Sequence, residues 1–325
     1  MPKRSWNWRS IWAVAALATA GATGEAAASE PTPAAAGAAI CRAAEVGLQV
    51  LGSGGPIAEG SRAGTSYAVW IDGRAQLLVD AGPGSFIRFG EAGLKFSDLK
   101  AIALSHFHAD HSAGLAGILN SGSFEASQAP LVFIGPAAAT PFPGAAGFIT
   151  AQFDGERGAW SYLGGYLTGA DGRRVLDIRE VDAGDPVGAP TWRIALGDAL
   201  SVTAIPVDHG LIPTLAYRIE AKGRTIVLAA DQSAMSTGFD RETAGLAPDL
   251  LVAHHVIPEG EGQPIGLHRP PHGIGAMAAN IAPRQLVLSH NMNRSLDRLE
   301  EGLAQIAARW LGTVTVADDG QCFVL

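Results

Sequence analysis

The chain has 325 residues, 47% of them hydrophobic, and its 23 basic and 31 acidic side chains leave a formal net charge of −8. Apolar content of that order fills the core of one large domain or two small ones. The acidic balance disfavours a nucleic-acid partner, which is ordinarily gripped by basic surface, although a local basic patch stays compatible with it.

The first residues carry an address. "MPKRSWNWRS" holds Lys3, Arg4 and Arg9, the apolar run "IWAVAALATAGA" follows, and Ala26-Ala27-Ala28 offers a small-residue cleavage site, so residues 1–28 read as a secretory signal peptide. An apolar run of about a dozen residues falls short of the roughly 20 that cross a bilayer, which argues against an uncleaved anchor. Ile40 stands before Cys41 where a lipoprotein signal needs a small residue, and residues 1–28 hold no twin-arginine pair. Cleavage after Ala28 removes three basic residues and Glu25, taking the net charge from −8 to −10. The expected location is periplasmic or secreted, with no membrane anchor after cleavage. Cys41 and Cys322 are the two thiols, one near each end of the mature chain. An oxidising compartment favours a disulfide between them over two buried free thiols.

Residues 29–40, rich in Pro and Ala, read as a linker into a single domain over 41–325. "EVGLQVLGSGGP" predicts a strand running into a glycine turn, and "SYAVWID" with "AQLLVDAG" predicts a hairpin. "LKAIALS" is a further buried strand, and "SAGLAGILNSG" a helix. Strand patterns recur in "APLVFIGP", "LSVTAIPVDHG", "TLAYRIEAKGRTIVLAAD", "DLLVAHH" and "RQLVLSHNM"; "GIGAMAANIA" and "SLDRLEEGLAQIAARW" read as helices. In the last, Leu296, Leu299, Leu303, Ile306 and Trp310 recur at steps of three and four, the mark of a face packed on a sheet. Residues 141–190 are rich in glycine and aromatics with little periodicity and read as a surface insertion. Within it Arg157, Arg173, Arg174 and Arg179 face seven acidic residues over 150–190, so it is not a basic arm.

All nine histidines fall in 106–111, 209, 254–255, 268–272 or 290, each closing a predicted strand or lying in the loop after one. Active sites of α/β sheets gather at the carboxyl ends of strands, so these positions can converge. "SHFHADH" is the densest group. Imidazole and carboxylate suit zinc and related ions, and in an extended segment His106 and His108 share one face and can grip one ion. Asp110 and His111 lie past the bend, where they can reach a second ion.

"SHFHADHSAG" resembles the signature of the metallo-β-lactamase superfamily, and the resemblance covers about residues 46–320. It implies an α/β fold, a four-layer αβ/βα sandwich. "LLVDAG" resembles the family's first motif and makes Asp80 a structural residue near the site. "VDHG", "LAAD" and "LSHNM" supply His209, Asp231 and His290. The implied ligand sets are His106, His108 and His209 for one ion, and Asp110, His111 and His290 for another, bridged by Asp231. Two divalent cations, zinc or alternatively manganese or iron, would then generate a hydroxide nucleophile from a shared water.

The bridging aspartate separates branches. β-Lactam hydrolysers of the superfamily generally lack it, whereas phosphodiesterase, lactonase and thioester-hydrolase branches have it. "LGSGGP", "HGLIPTLAYRIEAKGRTIVLAAD" and "PPHGIGAMAANIAPRQLVLSH" resemble ribonuclease Z and an arylsulfatase-like relative. On that resemblance His272 aids the leaving group, but Met277 replaces the family's glutamate, so the carboxylate partner of His272 is expected to be missing. Asp110 and His272 are thus the implied catalytic residues. His254, His268 and Arg294 are candidates to meet an anionic substrate. The expected activity is hydrolysis of a small phosphodiester, phosphonate or sulfate ester. A lactonase or β-lactamase type of hydrolase, and a non-catalytic metal-binding protein of the same fold, stand as alternatives. Dimers are common among the relatives, which leaves a homodimer open.

Overall fold

Short apolar runs punctuated by Gly, Asp and Pro build two seven-stranded sheets. The computed structural model describes residues 30–125, 127 and 129–325; the expected signal peptide lies outside them. The first half of the chain contributes β1 (Val46–Gly52), β2 (Ser66–Ile71), β3 (Arg74–Val79), β4 (Ala101–Ala103), β5 (Leu131–Pro136) and β6 (Leu176–Val181). The second contributes β7 (Trp192–Ala195), β8 (Leu200–Val207), β9 (Thr214–Ala221), β10 (Arg224–Leu228), β11 (Leu250–His254), β12 (Gln285–Ser289) and β13 (Thr313–Val316). A last strand, β14 (Cys322–Val324), returns to the first sheet beside β1.

Each sheet joins an antiparallel half to a parallel half. The first runs β14-β1-β2-β3-β4-β5-β6, antiparallel as far as β3 and parallel from β3 onward. The second runs β13-β12-β11-β10-β9-β8-β7, parallel from β13 to β10 and antiparallel beyond. The expected hairpin is β2–β3, closed by Asp72 and Gly73, both at positive φ (49° and 76°) as a two-residue turn with the right twist requires.

Alternation along the strands sends one set of side chains inward and one outward. Inward positions such as Leu48, Val50, Val69 and Leu77 meet Val202, Leu215, Ile219 and Val252 in a core shared by both sheets. Outward positions such as Leu78, Ile102 and Phe133 pack under helices Pro33–Ala43, Ser85–Glu91, Leu115–Gly122 and Ala145–Phe153. Val227, Leu251 and Leu286 pack under helices Thr237–Thr243, Pro271–Ile281 and Leu299–Ala307. Helix, sheet, sheet and helix make the four-layer αβ/βα sandwich. The stripe on the last helix is core: Ile306 is buried, and Leu303 and Trp310 pack against the same cluster.

Two expectations need correction. The predicted linker over 29–40 is largely the helix Pro33–Ala43, capped by the Thr32 side chain and opened by Pro33. Its small residues Ala34, Gly37, Ala38 and Cys41 form the buried face, a pattern that composition alone disguises as low complexity. Gln49 Nε2 donates to Ala34 O at 2.7 Å and to Gly320 O at 3.2 Å, and the Cys41–Cys322 disulfide ties this helix to β14. The 141–190 segment is not wholly an insertion either. It supplies β6 as the edge strand of the first sheet, and its Phe153 and Tyr166 are buried under the helices. The half-exposed face of β6 is what weakened its apolar alternation.

Candidate metal centre

Strand ends deliver the site. Asp80 follows β3, Ser105 to His111 follow β4, His209 follows β8, Asp231 follows β10, His254 closes β11 and His290 follows β12. Asp80, Ala230 and His290 hold left-handed backbone conformations (φ 56°, 57° and 53°), the kind of local cost that sites impose where side chains must be aimed. The glycine turn after β1 belongs here too: a Cβ on Gly55 would come within 2.5 Å of the His290 ring, so only glycine fits against it.

Two groups of donors form. His106 Nε2 lies 3.0 Å from His108 Nδ1, and His209 completes the group, its ring 5.1 and 5.3 Å from theirs. In the other, Asp110 Oδ2 lies 3.1 Å from His290 Nε2 and 3.5 Å from His111 Nε2. Asp231 Oδ2 stands between them, 3.7 Å from His209 Nε2, 3.6 Å from His111 Nε2 and 3.5 Å from His290 Nε2.

The surrounding hydrogen bonds choose which nitrogen each ring offers. His111 Nδ1 donates to Asp80 Oδ2 at 2.9 Å, and Asp80 is itself held by the Ser105 backbone N–H at 2.7 Å and the Ser105 hydroxyl at 2.9 Å. His209 Nδ1 donates to Leu267 O at 2.9 Å. Both rings therefore turn Nε2 inward, the arrangement that orients a metal ligand. Burial opposes the charge on His111, but the Asp80 and Asp231 carboxylates raise its pKa well above the ordinary imidazole value, so a cation bound there would displace the Nε2 proton. His111 Nε2 is buried with no hydrogen-bond partner, an expensive state that a cation would relieve. Burial keeps His106 well below the ordinary imidazole pKa, and His108 below it as well. Burial resists the charge on Asp110, yet the hydrogen bond from His290 and the field of His111 hold its pKa at about 2. Asp231 is likewise kept well below the carboxylate range, burial being outweighed by His290 and His268. A buried set of anionic carboxylates and inward-facing imidazole nitrogens fits divalent cations.

Over 286 aligned residues, a ribonuclease Z from Mycolicibacterium paratuberculosis is 30% identical to this chain, covering 84% of the chain and 95% of that protein. The chain belongs to the metallo-β-lactamase superfamily, beside ribonuclease Z. A family model described as anti-Pycsar protein Apyc1 also matches residues 46–142. Among solved structures of the superfamily fold, human tRNase Z, short form, has a TM-score of 0.62 at 20% identity, covering 85% of this chain and 98% of that one. The metallo-β-lactamase fold protein YhfI from Bacillus subtilis has a TM-score of 0.61 at 17% identity, covering 86% and 99%. The superfamily frame and the donor set together make this a metal-dependent hydrolase.

Within that frame the remaining candidates separate. His268 does join the cluster: its Nδ1 lies 3.8 Å from Asp231 Oδ1, its ring is 5.1 Å from that of His209, and Nδ1 is buried and unpartnered. His254 belongs to one cluster with His111, Asp231 and His290, and its partners make it a support for Asp231. It is buried between Tyr67, whose Oη is 3.3 Å from Nε2, and Asp231, whose Oδ1 is 2.6 Å from Nδ1. Arg294 is exposed; its Nε donates to Val256 O at 2.9 Å and its Nη2 lies 3.7 Å from Met292 Sδ. His272 stands half-exposed outside the donor groups, and the expectation that it lacks a carboxylate is wrong: Nδ1 lies 2.7 Å from Glu259 Oε1 and its backbone N–H donates to Glu259 Oε2. Met277, at the position of the family's glutamate, is core.

Sequence reasoning missed Glu259 because the pairing spans a loop, and missed the clamp behind Asp231. There Arg269 donates to Gln232 Oε1 at 3.0 Å and to Asp240 Oδ1 at 2.9 Å, fixing the residue after Asp231 to the one after His268. A cleft of about 440 Å³ between Arg224, Asp249 and Arg284 lies at the amino ends of β10 and β12, away from this centre.

Proposed function

We propose that the chain is an exported phosphodiesterase that works on small phosphodiesters with two divalent cations, zinc in the first instance. The observation that carries this is Asp231 Oδ2, within 3.5–3.7 Å of imidazole nitrogens from both donor groups, as a carboxylate shared between two ions would be. When bound, the cations supply Lewis acidity to a phosphoryl oxygen and acidify a water. The protein's own part is to orient. Asp80, Leu267 O and His254 hold His111, His209 and Asp231 in the productive tautomers and rotamers. His268 is placed at the cluster to meet a non-bridging oxygen, and the His272–Glu259 pair is available as a proton carrier at the rim.

Ribonuclease Z relatives bring a second reading, an RNA substrate. The net charge of −8 and the mixed charges of 150–190 favour a small diester instead. The signal-like first 28 residues and the Cys41–Cys322 bond support export. Assay of bis(4-nitrophenyl) phosphate, 4-nitrophenyl sulfate, a homoserine lactone, nitrocefin and a structured RNA, each with zinc and with chelator, tests the proposal. Metal-dependent turnover of the diester is expected. Turnover of the sulfate, lactone or nitrocefin alone overturns the phosphodiester assignment. RNA cleavage without diester turnover selects the second reading, and bound metal without any turnover selects a non-catalytic protein.

A further inference from the structure

One wall of the centre is apolar. The extended run His106-Phe107-His108 puts Phe107 on the face opposite the two ligands, toward helix Ala145–Phe153. There its ring stacks on Phe148, centroids 4.4 Å apart and planes 11° from parallel. Gly135 on β5 makes this possible, since a Cβ there would lie 3.1 Å from the Phe107 ring. Phe107, Phe148, Phe142, Ile212 and three prolines line a cavity of about 150 Å³, which His108 also borders. The same imidazole whose Nδ1 faces His106 Nε2 thus borders an apolar chamber. Of the aromatics in 141–190, Phe142 and Phe148 line it, Phe153 and Tyr166 are core, and Trp160 and Tyr162 are exposed.

Size and chemistry define the occupant. An apolar cavity of about 150 Å³ holds a benzene ring, and a fused bicycle is too large for it. Apart from His108 the lining offers no side-chain hydrogen-bonding group, so a ring with polar edges would be desolvated without return. An anionic phosphoryl group cannot enter either, and its place is over the donor groups beyond His108. We infer that this cavity is a specificity pocket for one six-membered aryl ring carried on the phosphoester, held beside Phe107 and Phe148 while the phosphoryl group lies over the metal centre. The inference rests on the proposed ester chemistry for its function, while the pocket itself can be probed by binding alone.

Calorimetric binding of methylphosphonate, phenylphosphonate and 1-naphthylphosphonate to the zinc-loaded protein tests it, alongside inhibition of bis(4-nitrophenyl) phosphate hydrolysis. Phenylphosphonate is expected to bind about tenfold more tightly than methylphosphonate, as burial and stacking of one ring provide, and the naphthyl compound to lose that gain. Phe148→Ala should abolish the phenyl preference and leave methylphosphonate binding unchanged. Because Phe148 also packs against the outer core, Ile212→Phe provides the second arm: it fills the chamber from the other side and should remove the phenyl preference in a protein of wild-type thermal midpoint. Equal affinity for the methyl and phenyl compounds, or a phenyl preference that survives Ile212→Phe, overturns the pocket. Tighter binding of uridine 5′-monophosphate than of phenylphosphonate would replace the arene by a nucleobase and overturn it too. A phenyl preference in binding without any diester turnover would uphold the pocket and sink the proposed function instead.

Discussion

His254 Nδ1 lies 2.6 Å from Asp231 Oδ1, so one oxygen of the carboxylate between the two donor groups is fixed from behind while the other faces His111, His209 and His290. The ring is backed in turn by Tyr67 Oη at 3.3 Å. His254 is thus a positioning residue for Asp231. Replacing it by Ala should lower metal affinity by about 10–100-fold, the usual effect of losing a group that orients a ligand. Competition with a chromogenic chelator measures this, and an unchanged affinity would show that Asp231 needs no such support.

Asp231 itself serves both groups. On the proposed two-ion reading, Asp231→Asn removes the charge from the shared position and should drop the zinc content from two ions toward one per chain, with loss of at least about two orders of magnitude in kcat. Elemental analysis and steady-state kinetics report the two effects separately. Retention of both ions with near-normal turnover would sink the bridging role.

Metal binding should also stabilise the fold, because the ligands come from strand ends spread over both sheets and meet only in the native state. Chelation is expected to lower the thermal midpoint, and readdition of zinc to restore it. A midpoint indifferent to chelator would mean the cluster holds no ion in solution.

The Cys41–Cys322 bond closes a loop with a sequence separation of 281. A loop of that length gives about 5 kcal/mol in the chain-entropy model, and residual structure in the denatured chain brings the expected loss to about 3–5 kcal/mol. The Cys41→Ser, Cys322→Ser double variant should show it as a lowered denaturant midpoint, and reduction of the wild-type protein should reproduce the change.

His255 carries a pH dependence of its own. It is buried, and burial pushes its pKa down to about 4 from an ordinary 6.5. Between those values the unfolded chain binds the extra proton, so stability rises with pH up to about 6.5 and is lost as the pH falls toward 4. The full effect is about 3 kcal/mol. Between pH 7 and pH 4 the denaturant midpoint of the wild type should therefore fall further than that of His255→Phe. Parallel curves would rule the group out.

Much of the centre was legible in the chain because it is written locally. His106 and His108 alternate on one face of an extended run, Asp110 and His111 follow one bend later, and His209, Asp231 and His290 each sit just after an apolar strand. The helix Pro33–Ala43 was not legible, since apart from Cys41 its buried face consists of Ala and Gly, which carry almost no hydrophobic periodicity. The edge strands β7, β13 and β14 were also obscured, being short and only partly buried.

From the sequence by itself came the SHFHADH cluster and the alternation of strands and helices, because each depends on neighbours within a few residues, whereas His209, Asp231 and His290 entered through the family resemblance. Only the tertiary structure decided that His254 backs Asp231 across 23 residues, that Glu259 replaces the expected partner of His272 across 13, and that Phe107 and Phe148 enclose a ring-sized chamber beside His108. Those relations arise where loops from separate strands converge on one edge of the sandwich. Their energies come from packing and hydrogen bonds between segments whose distance in the chain bears no relation to their distance in space.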